Sequence, residues 1–338
     1  MVMTVKRTRL LTAAAASALV LAGCGSAAPA TSSSAVAVAQ PAAVAADGST
    51  TCEQDGKPAV ASIDPGSITT NPSSWPGGST MADIRKSKKL TVGVAGDVKL
   101  WGSRNPTTGQ LEGFDIDVLK RVAQEIGPDV KIEYKVLSFA DRLDRLNDRS
   151  VQLVAHTMTI NCDRWFGGES TDGAYIDFST EYYEAGQKVL VRSDSEASDI
   201  GDLANETVCA AKGSTSLASI QDRVAEPVEV DEVGECLVLF QEGEVSAITG
   251  DDTVLAGFAA QDPYAKVVGN AFSTVPYGIG ITPDDTNFTR FVNAVLEEMR
   301  SDGTLDKLYD KWMAGNGTRP AVPEAVYGRS ETALKDRG

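Results

Sequence analysis

Thr157-Met158-Thr159-Ile160-Asn161-Cys162-Asp163-Arg164 follows the apolar run Val151-Gln152-Leu153-Val154-Ala155. The run reads as a buried strand bounded by turn chemistry. Two hydroxyls at a strand end, with a cation one helical turn further on, make an anion site. Hydroxyls and free backbone N–H groups donate to one carboxylate oxygen, and the Arg164 guanidinium clamps the same group in a two-pronged fork. Taken alone, the stretch is more simply an ordinary strand-to-helix turn with an exposed arginine. The rest of the chain decides between the two.

At 338 residues the chain has room for two domains, and 42% hydrophobic residues is the composition of a soluble globular protein. Its front end differs. Lys6, Arg7 and Arg9 precede the apolar segment Leu10 to Leu21, which closes on Leu21-Ala22-Gly23-Cys24. A positive n-region, a short apolar h-region and small residues before the cut describe a secretory signal peptide over residues 1–23, too short to span a membrane comfortably. Leu-Ala-Gly-Cys has the form of a lipobox, which implies cleavage before Cys24 and a lipid on its sulfur. Such a chain is exported and held at the outer face of the cell membrane without crossing it. The formal net charge is −16, and losing the three signal-peptide cations takes it to −19. That balance argues against nucleic acid and against clinging to an anionic membrane face. It leaves an anionic ligand open, because a few cations in a cleft decide that locally.

Cys24 is spent on the lipid, leaving Cys52, Cys162, Cys209 and Cys236. An even number in an exported protein suggests disulfides. Four cysteines allow three connectivities. Cys209–Cys236 is favoured because both lie in one later segment, and Cys52–Cys162 follows by elimination, which would pin the N-terminal segment beside the opening stretch. No zinc spacing is present and His156 is the sole histidine, so neither a metal nor another cofactor is expected.

Residues 24–80 read as a lipid-anchored flexible tether followed by an extended arm laid on the domain, held by Cys52 and Trp75. The folded body begins near Met81. Strand and helix then alternate: Leu90–Val94, a helical stripe over 116–126 capped by Asp115 and Gly127, Lys131–Val136, a short helix Arg142–Leu146, and the opening stretch. A second cycle follows, with strands at Gln187–Val191, Thr207–Ala211, Val228–Val230, Val245–Thr249 and Lys266–Val268. Helices Asn287–Met299 and Leu305–Trp312 close the body, and the Pro- and charge-rich tail 316–338 reads as loosely held. This is an α/β chain of two similar units, with a cleft between them at the ends of parallel strands. Four strand ends stand out: Leu100-Trp101, Thr157/Thr159/Arg164, Gly213-Ser214-Thr215 after Ala211, and Asp251-Asp252. An aromatic wall, a carboxylate clamp, small donors and an ammonium acceptor together complement a free α-amino acid.

From about 83 to 313 the chain resembles the amino-acid-binding solute receptors of ABC importers, family 3, and more narrowly the glutamate/glutamine-binding lipoproteins of actinobacteria. The motifs that carry the resemblance are Gly113-Phe114-Asp115-Ile116-Asp117-Val118, Thr157-Met158-Thr159-Ile160 with Arg164, Phe178-Ser179 with Tyr182-Tyr183, Gly213-Ser214-Thr215-Ser216, Asp251-Asp252, and Gly303-Thr304-Leu305 through Trp312. The resemblance implies a two-lobed, type II periplasmic-binding-protein-like fold, with two mixed sheets joined by a two-segment hinge. Lobe 1 would be 81–183 plus 277–315 and lobe 2 would be 187–273, hinged near 183–186 and 275–277. It implies that Arg164 and Thr159 take the ligand α-carboxylate, Asp252 the ammonium, and Ser214 after Gly213 an oxygen from lobe 2, with Thr157 contributing its backbone. Arg142 fits the place of an arginine that meets an acidic side chain, although Phe139 stands where that branch has serine. Arg142 also reads as a solvated helix face, Trp101 as core, and Asp251 as a turn residue. The loop 165–173 is longer than usual. The implied function is a monomeric receptor for glutamate or aspartate, or their amides, serving an ABC permease, or else a sensor reporting to a membrane signalling protein. With no Ser-His-Asp set, an enzyme is not expected.

Overall fold

Lys89–Val94 forms a strand whose residues 90–94 are all buried, the pattern of a strand covered on both faces. It pairs in parallel with Lys131–Val136 on one side and Leu153–Ala155 on the other. Gly280–Ile281 joins Leu153–Ala155 to Asp177–Phe178, antiparallel to both, and completes a five-stranded mixed sheet. Helices Phe114–Ile126, Thr286–Ser301 and Thr304–Met313 each bury an apolar stripe in the core beside it. The computed structural model describes residues 50–313 and 320–337. The signal peptide, Cys24 and the first part of the tether lie outside the described residues.

The second sheet is built around Thr207–Ala211, parallel to Glu226–Val230 and Ala247–Asp251. Tyr183–Arg192 adds antiparallel to Ala247–Asp251, and Ala265–Tyr277 adds antiparallel to Tyr183–Arg192. The fold is therefore α/β and two-lobed, with a mixed sheet in each lobe. The chain crosses between lobes through Tyr183–Arg192 and Ala265–Tyr277, which pair with each other at Tyr183↔Tyr277, Glu184↔Pro276 and Ala185↔Val275. Both crossings are longer strands than the sequence suggests, ten and thirteen residues. Mutual pairing satisfies their backbone groups where side-chain pattern alone shows a break. Cys209 is bonded to Cys236, joining a strand of lobe 2 to the helix Val233–Glu242.

Two expectations need correction. Asp115 does not cap its helix: Gly113 holds the N-cap position, at φ 145°, and a Cβ there would lie 2.0 Å from the Trp101 carbonyl oxygen. Asp115 is instead fully buried, accepting from the Tyr182 hydroxyl at 2.6 Å and from the Thr157 N–H at 3.0 Å. The described part of the C-terminal tail, residues 320–337, is also not loose. Arg329 and Arg337 are buried, and Tyr327 bridges to Ser62 of the N-terminal arm. Arg337 donates to Asp177 at 2.7 Å, both side chains fully buried, and to the carbonyls of Trp165 and Leu334. Partners this far apart in sequence leave no local pattern, so charge density alone misreads the segment.

Burial raises the Asp177 carboxyl above its usual range, and Arg337 opposes that rise. Removing Arg337 leaves a buried carboxylate without its cation. Arg337→Ala should cost about 3–5 kcal/mol of unfolding free energy at pH 7, measured by urea denaturation. A group whose folded pKa is raised loses stability as pH climbs through that value, so the cost should shrink at pH 4, where Asp177 can be neutral. A loss under about 1 kcal/mol at pH 7 would show the pair to be immaterial.

Candidate functional site

The strand Leu153–Ala155 ends at His156, and Thr157 follows at φ 43° with its side chain buried. A β-branched residue in the left-handed region is strained. Asp115 holds it there through the Thr157 N–H, while Thr157 Oγ1 has no hydrogen-bond partner among the described residues. His156 is buried against Leu137 O, 3.0 Å from its Nε2. Its pKa falls to about 3, first through burial and then through the Arg142 charge, so it is neutral at physiological pH. Thr159 comes next on the same rim, bridged to Tyr277 of the crossing strand. Asn161 then caps the short helix Cys162–Phe166, its side chain accepting from the Arg164 N–H at 2.9 Å.

Arg164 is buried and reaches back to the Thr159 carbonyl at 2.7 Å and across the cleft to the Gly213 carbonyl at 3.4 Å. Arg142, from the helix Asp141–Asn147, donates to the carbonyls of Phe139, His156 and Gly213 at 2.9, 3.1 and 3.3 Å. Its guanidinium lies 4.6 Å from the Phe139 ring centroid. It is therefore no solvated helix face. Two guanidinium groups of lobe 1 thus converge on one carbonyl of lobe 2. Burial first, and the Arg164 charge second, push the Arg142 pKa well down, with Asp251 and Tyr277 opposing.

Lobe 2 supplies the facing wall. Gly213 sits at φ 70°, and a Cβ there would lie 2.7 Å from Ala140 Cα of lobe 1. Thr215 Oγ1 is 3.1 Å from Thr159 Oγ1 across the cleft. Asp251 ends its strand, buried, and accepts from the Tyr277 hydroxyl at 2.5 Å and the Ser216 hydroxyl at 3.5 Å. Burial raises its pKa to about 6 against the pull of the Tyr277 hydrogen bond. Ala211, Ser214, Ser216 and Asp251 line a small recess with Phe139. A larger cavity of about 500 Å³ opens outward from Arg164, Gly213, Ser214 and Thr215 to the loop residues Ser170, Thr171 and Asp172. The loop 165–173 thus forms part of the cleft mouth. Among the described residues no cluster of three or more His, Cys, Asp or Glu could hold a metal.

The model of the bacterial extracellular solute-binding proteins, family 3, matches residues 90–315. The chain belongs to this family. It is similar to the glutamine-binding protein of Geobacillus stearothermophilus, 36% identical over 74% of this chain and 89% of the relative. It is also similar to the glutamate-binding protein GluB of Corynebacterium efficiens, 30% identical over 68% of this chain and 81% of the relative. Among solved structures, an ancestral arginine-binding protein bound to glutamine matches with a TM-score of 0.60 and 31% identity, over 67% of this chain and 97% of its own. These are binding proteins, and this solute-binding protein is not an enzyme.

Of the residues expected from the sequence, Arg164, Thr159, Arg142, Gly213 and Ala211 gather at the cleft of the solute-binding protein, and Thr157 lies buried behind Thr159, held by Asp115. Three do not fit their expected parts. Asp252 turns away: its Oδ1 accepts from Gly186 N–H at 3.3 Å, and it lines a separate cavity with Leu100, Tyr183 and Lys188. Asp251 closes its strand whereas Asp252 opens the helix Asp252–Ala259, and Asp251, read as a turn residue, is the one in the cleft. Trp101 is fully buried among Phe114, Tyr183 and Tyr277, with ring centroids at 5.1, 4.7 and 5.0 Å. It is core behind the crossing strands and no ligand wall. Ser214 spends its hydroxyl on Ala211 O and on capping Leu217 N–H, so its side chain is committed within lobe 2. Phe139, Ser216 and Tyr277 were not expected there, and Thr215 only as part of the strand end Gly213-Ser214-Thr215. The run Gly213-Ser214-Thr215-Ser216 was the available signal for Ser216.

The close approach at Gly213 yields a test. Gly213→Ala adds a methyl that the Ala140 backbone cannot yield to, in a conformation that disfavours any side chain. It should weaken ligand binding at least about tenfold by calorimetry while the free protein keeps its fold by circular dichroism. Unchanged affinity would mean that the lobes need not meet here.

Proposed function

We propose that this solute-binding protein is an extracytoplasmic receptor that captures a free acidic amino acid, glutamate or aspartate, between its lobes and delivers it to an ABC permease. The observation that carries the reading is the placement of Arg142. It is a buried guanidinium whose hydrogen bonds all go to carbonyl oxygens, beside a second guanidinium and across from a carboxylate. Arg164 and Thr159 take the α-carboxylate, Asp251 takes the α-ammonium, and Arg142 takes the side-chain carboxylate. An acidic amino acid then brings two negative groups and one positive group to two positive groups and one negative group, which offsets the desolvation of each. Relatives named for glutamine and for glutamate both support the amino-acid class. A lipid on Cys24 would keep the receptor at the outer face of the membrane; Cys24→Ala should move it from the membrane fraction to the medium.

Calorimetry with glutamate, aspartate, glutamine and asparagine should rank the acids first. Arg142→Met should cost glutamate at least about tenfold more affinity than glutamine. Glutamine binding tenfold more tightly than glutamate would overturn the assignment of Arg142.

Asp251 supplies a pH signature. An ammonium ligand needs the carboxylate, so affinity should be level above about pH 6 and fall by up to about tenfold per unit below it. Asp251→Asn should bind weakly at every pH and lose that slope. A wild-type affinity flat from pH 7 to pH 5 would remove Asp251 from the ammonium site.

A further inference from the structure

Arg164 stands on a helix of five residues, Cys162–Phe166, too short to hold its shape unaided. What holds it comes from two distant segments. Cys162, the first residue of the helix, is bonded to Cys52 of the N-terminal arm, 110 residues away. Trp165 Nε1 donates to the Ala59 carbonyl of the same arm at 2.8 Å, and the Trp165 carbonyl accepts from Arg337 at 3.0 Å. Arg329 locks the arm in turn. It pairs with Asp55, both side chains almost fully buried, and donates to Ala61 O and Pro58 O at 2.9 and 3.1 Å. Its guanidinium lies 4.4 Å from the Trp165 ring centroid and 5.0 Å from that of Phe166. None of the arm residues lines the cleft cavities. They touch the site only through the helix that carries its cation.

We infer that the Cys52–Cys162 bond and Arg329 are positioning elements for Arg164, so that opening the bond weakens amino-acid binding in a protein that is still folded. This rests on the reading of Arg164 as the ligand's carboxylate partner. The bond fixes the start of the helix, Arg329 presses on its aromatic end, and the guanidinium between them must meet a carboxylate within hydrogen-bond tolerance. Loosening either end costs order in that geometry, and the loss appears in affinity. Cys209–Cys236 lies within lobe 2 and braces no cleft cation, so it serves as the internal control.

The test uses the mature protein, oxidised, with L-glutamate as probe in calorimetry well below the melting temperature. The double variant Cys52→Ser/Cys162→Ser should lose at least about tenfold in affinity, and Cys209→Ser/Cys236→Ser less than about threefold. The decisive readout is non-additivity. In an Arg164→Lys background, where the fork is already lost, breaking Cys52–Cys162 should change affinity by less than about threefold. Arg329→Gln, which leaves the disulfide intact, should reproduce the loss and its non-additivity if the cysteine variant does not fold. A melting temperature that falls while affinity holds would overturn the inference, and so would full additivity with Arg164→Lys. If Arg164→Lys alone binds glutamate as tightly as the parent, the site reading and this inference fall together. If it weakens binding and opening the bond does not, only this inference falls.

Discussion

The two lobes are joined by two strands that are hydrogen-bonded to each other. Tyr183–Arg192 and Ala265–Tyr277 pair from Tyr183↔Tyr277 onward, so one lobe can swing against the other only by bending both together. The shared ladder ties the two crossings into one ribbon. It also fixes what can meet in the cleft. Arg142 and Arg164 arrive from lobe 1 and the Gly213 carbonyl and Asp251 from lobe 2, and Tyr277 on a crossing strand holds the Asp251 carboxylate. The aromatic group of Trp101, Phe114, Tyr182 and Tyr183 packs behind the crossings. Tyr183, itself the first residue of a crossing strand, ties that group to the crossings.

Charge placement follows from the same frame. The chain is strongly acidic overall, yet its cleft gathers two buried guanidinium groups. Far-field repulsion from the surface is screened within about 10 Å of water at ordinary salt, whereas the cleft groups act at contact. Asp115 shows how far the scaffold goes to set this geometry. A buried carboxylate, raised to about pKa 6 by desolvation, is kept to hold Thr157 in a left-handed turn and to anchor Tyr182. The Gly-Phe-Asp motif therefore caps its helix through Gly113 and, through Asp115, shapes the turn at Thr157.

Much of this was legible in the sequence. The strand, turn and cation of 151–164 lie within one local pattern, and alternating strand and helix give the α/β class without any long-range contact. Gly213 could be read from its place just after the strand Thr207–Ala211, and its positive φ and close backbone neighbour show why a glycine stands there. What could not be read depends on partners distant in the chain. Asp251 and Asp252 are chemically identical neighbours, and only the direction of the strand end separates them. Trp101 at a strand end looks the same whether it faces a ligand or the core. Arg329 and Arg337 find Asp55 and Asp177 more than 150 residues away, so the tail seemed merely charged.

Both outer segments of the described chain, the arm from residue 50 and the stretch ending at 337, lie on lobe 1. Lobe 2 is consequently a cassette: it leaves lobe 1 at Tyr183 and returns at Tyr277, and those two residues sit side by side. A segment whose entry and exit are adjacent can be exchanged without rethreading the host. Gly213, Thr215 and Asp251 all lie on the segment that Tyr183 and Tyr277 bracket, whereas Arg142 and Arg164 stand on the frame that Cys52–Cys162 closes.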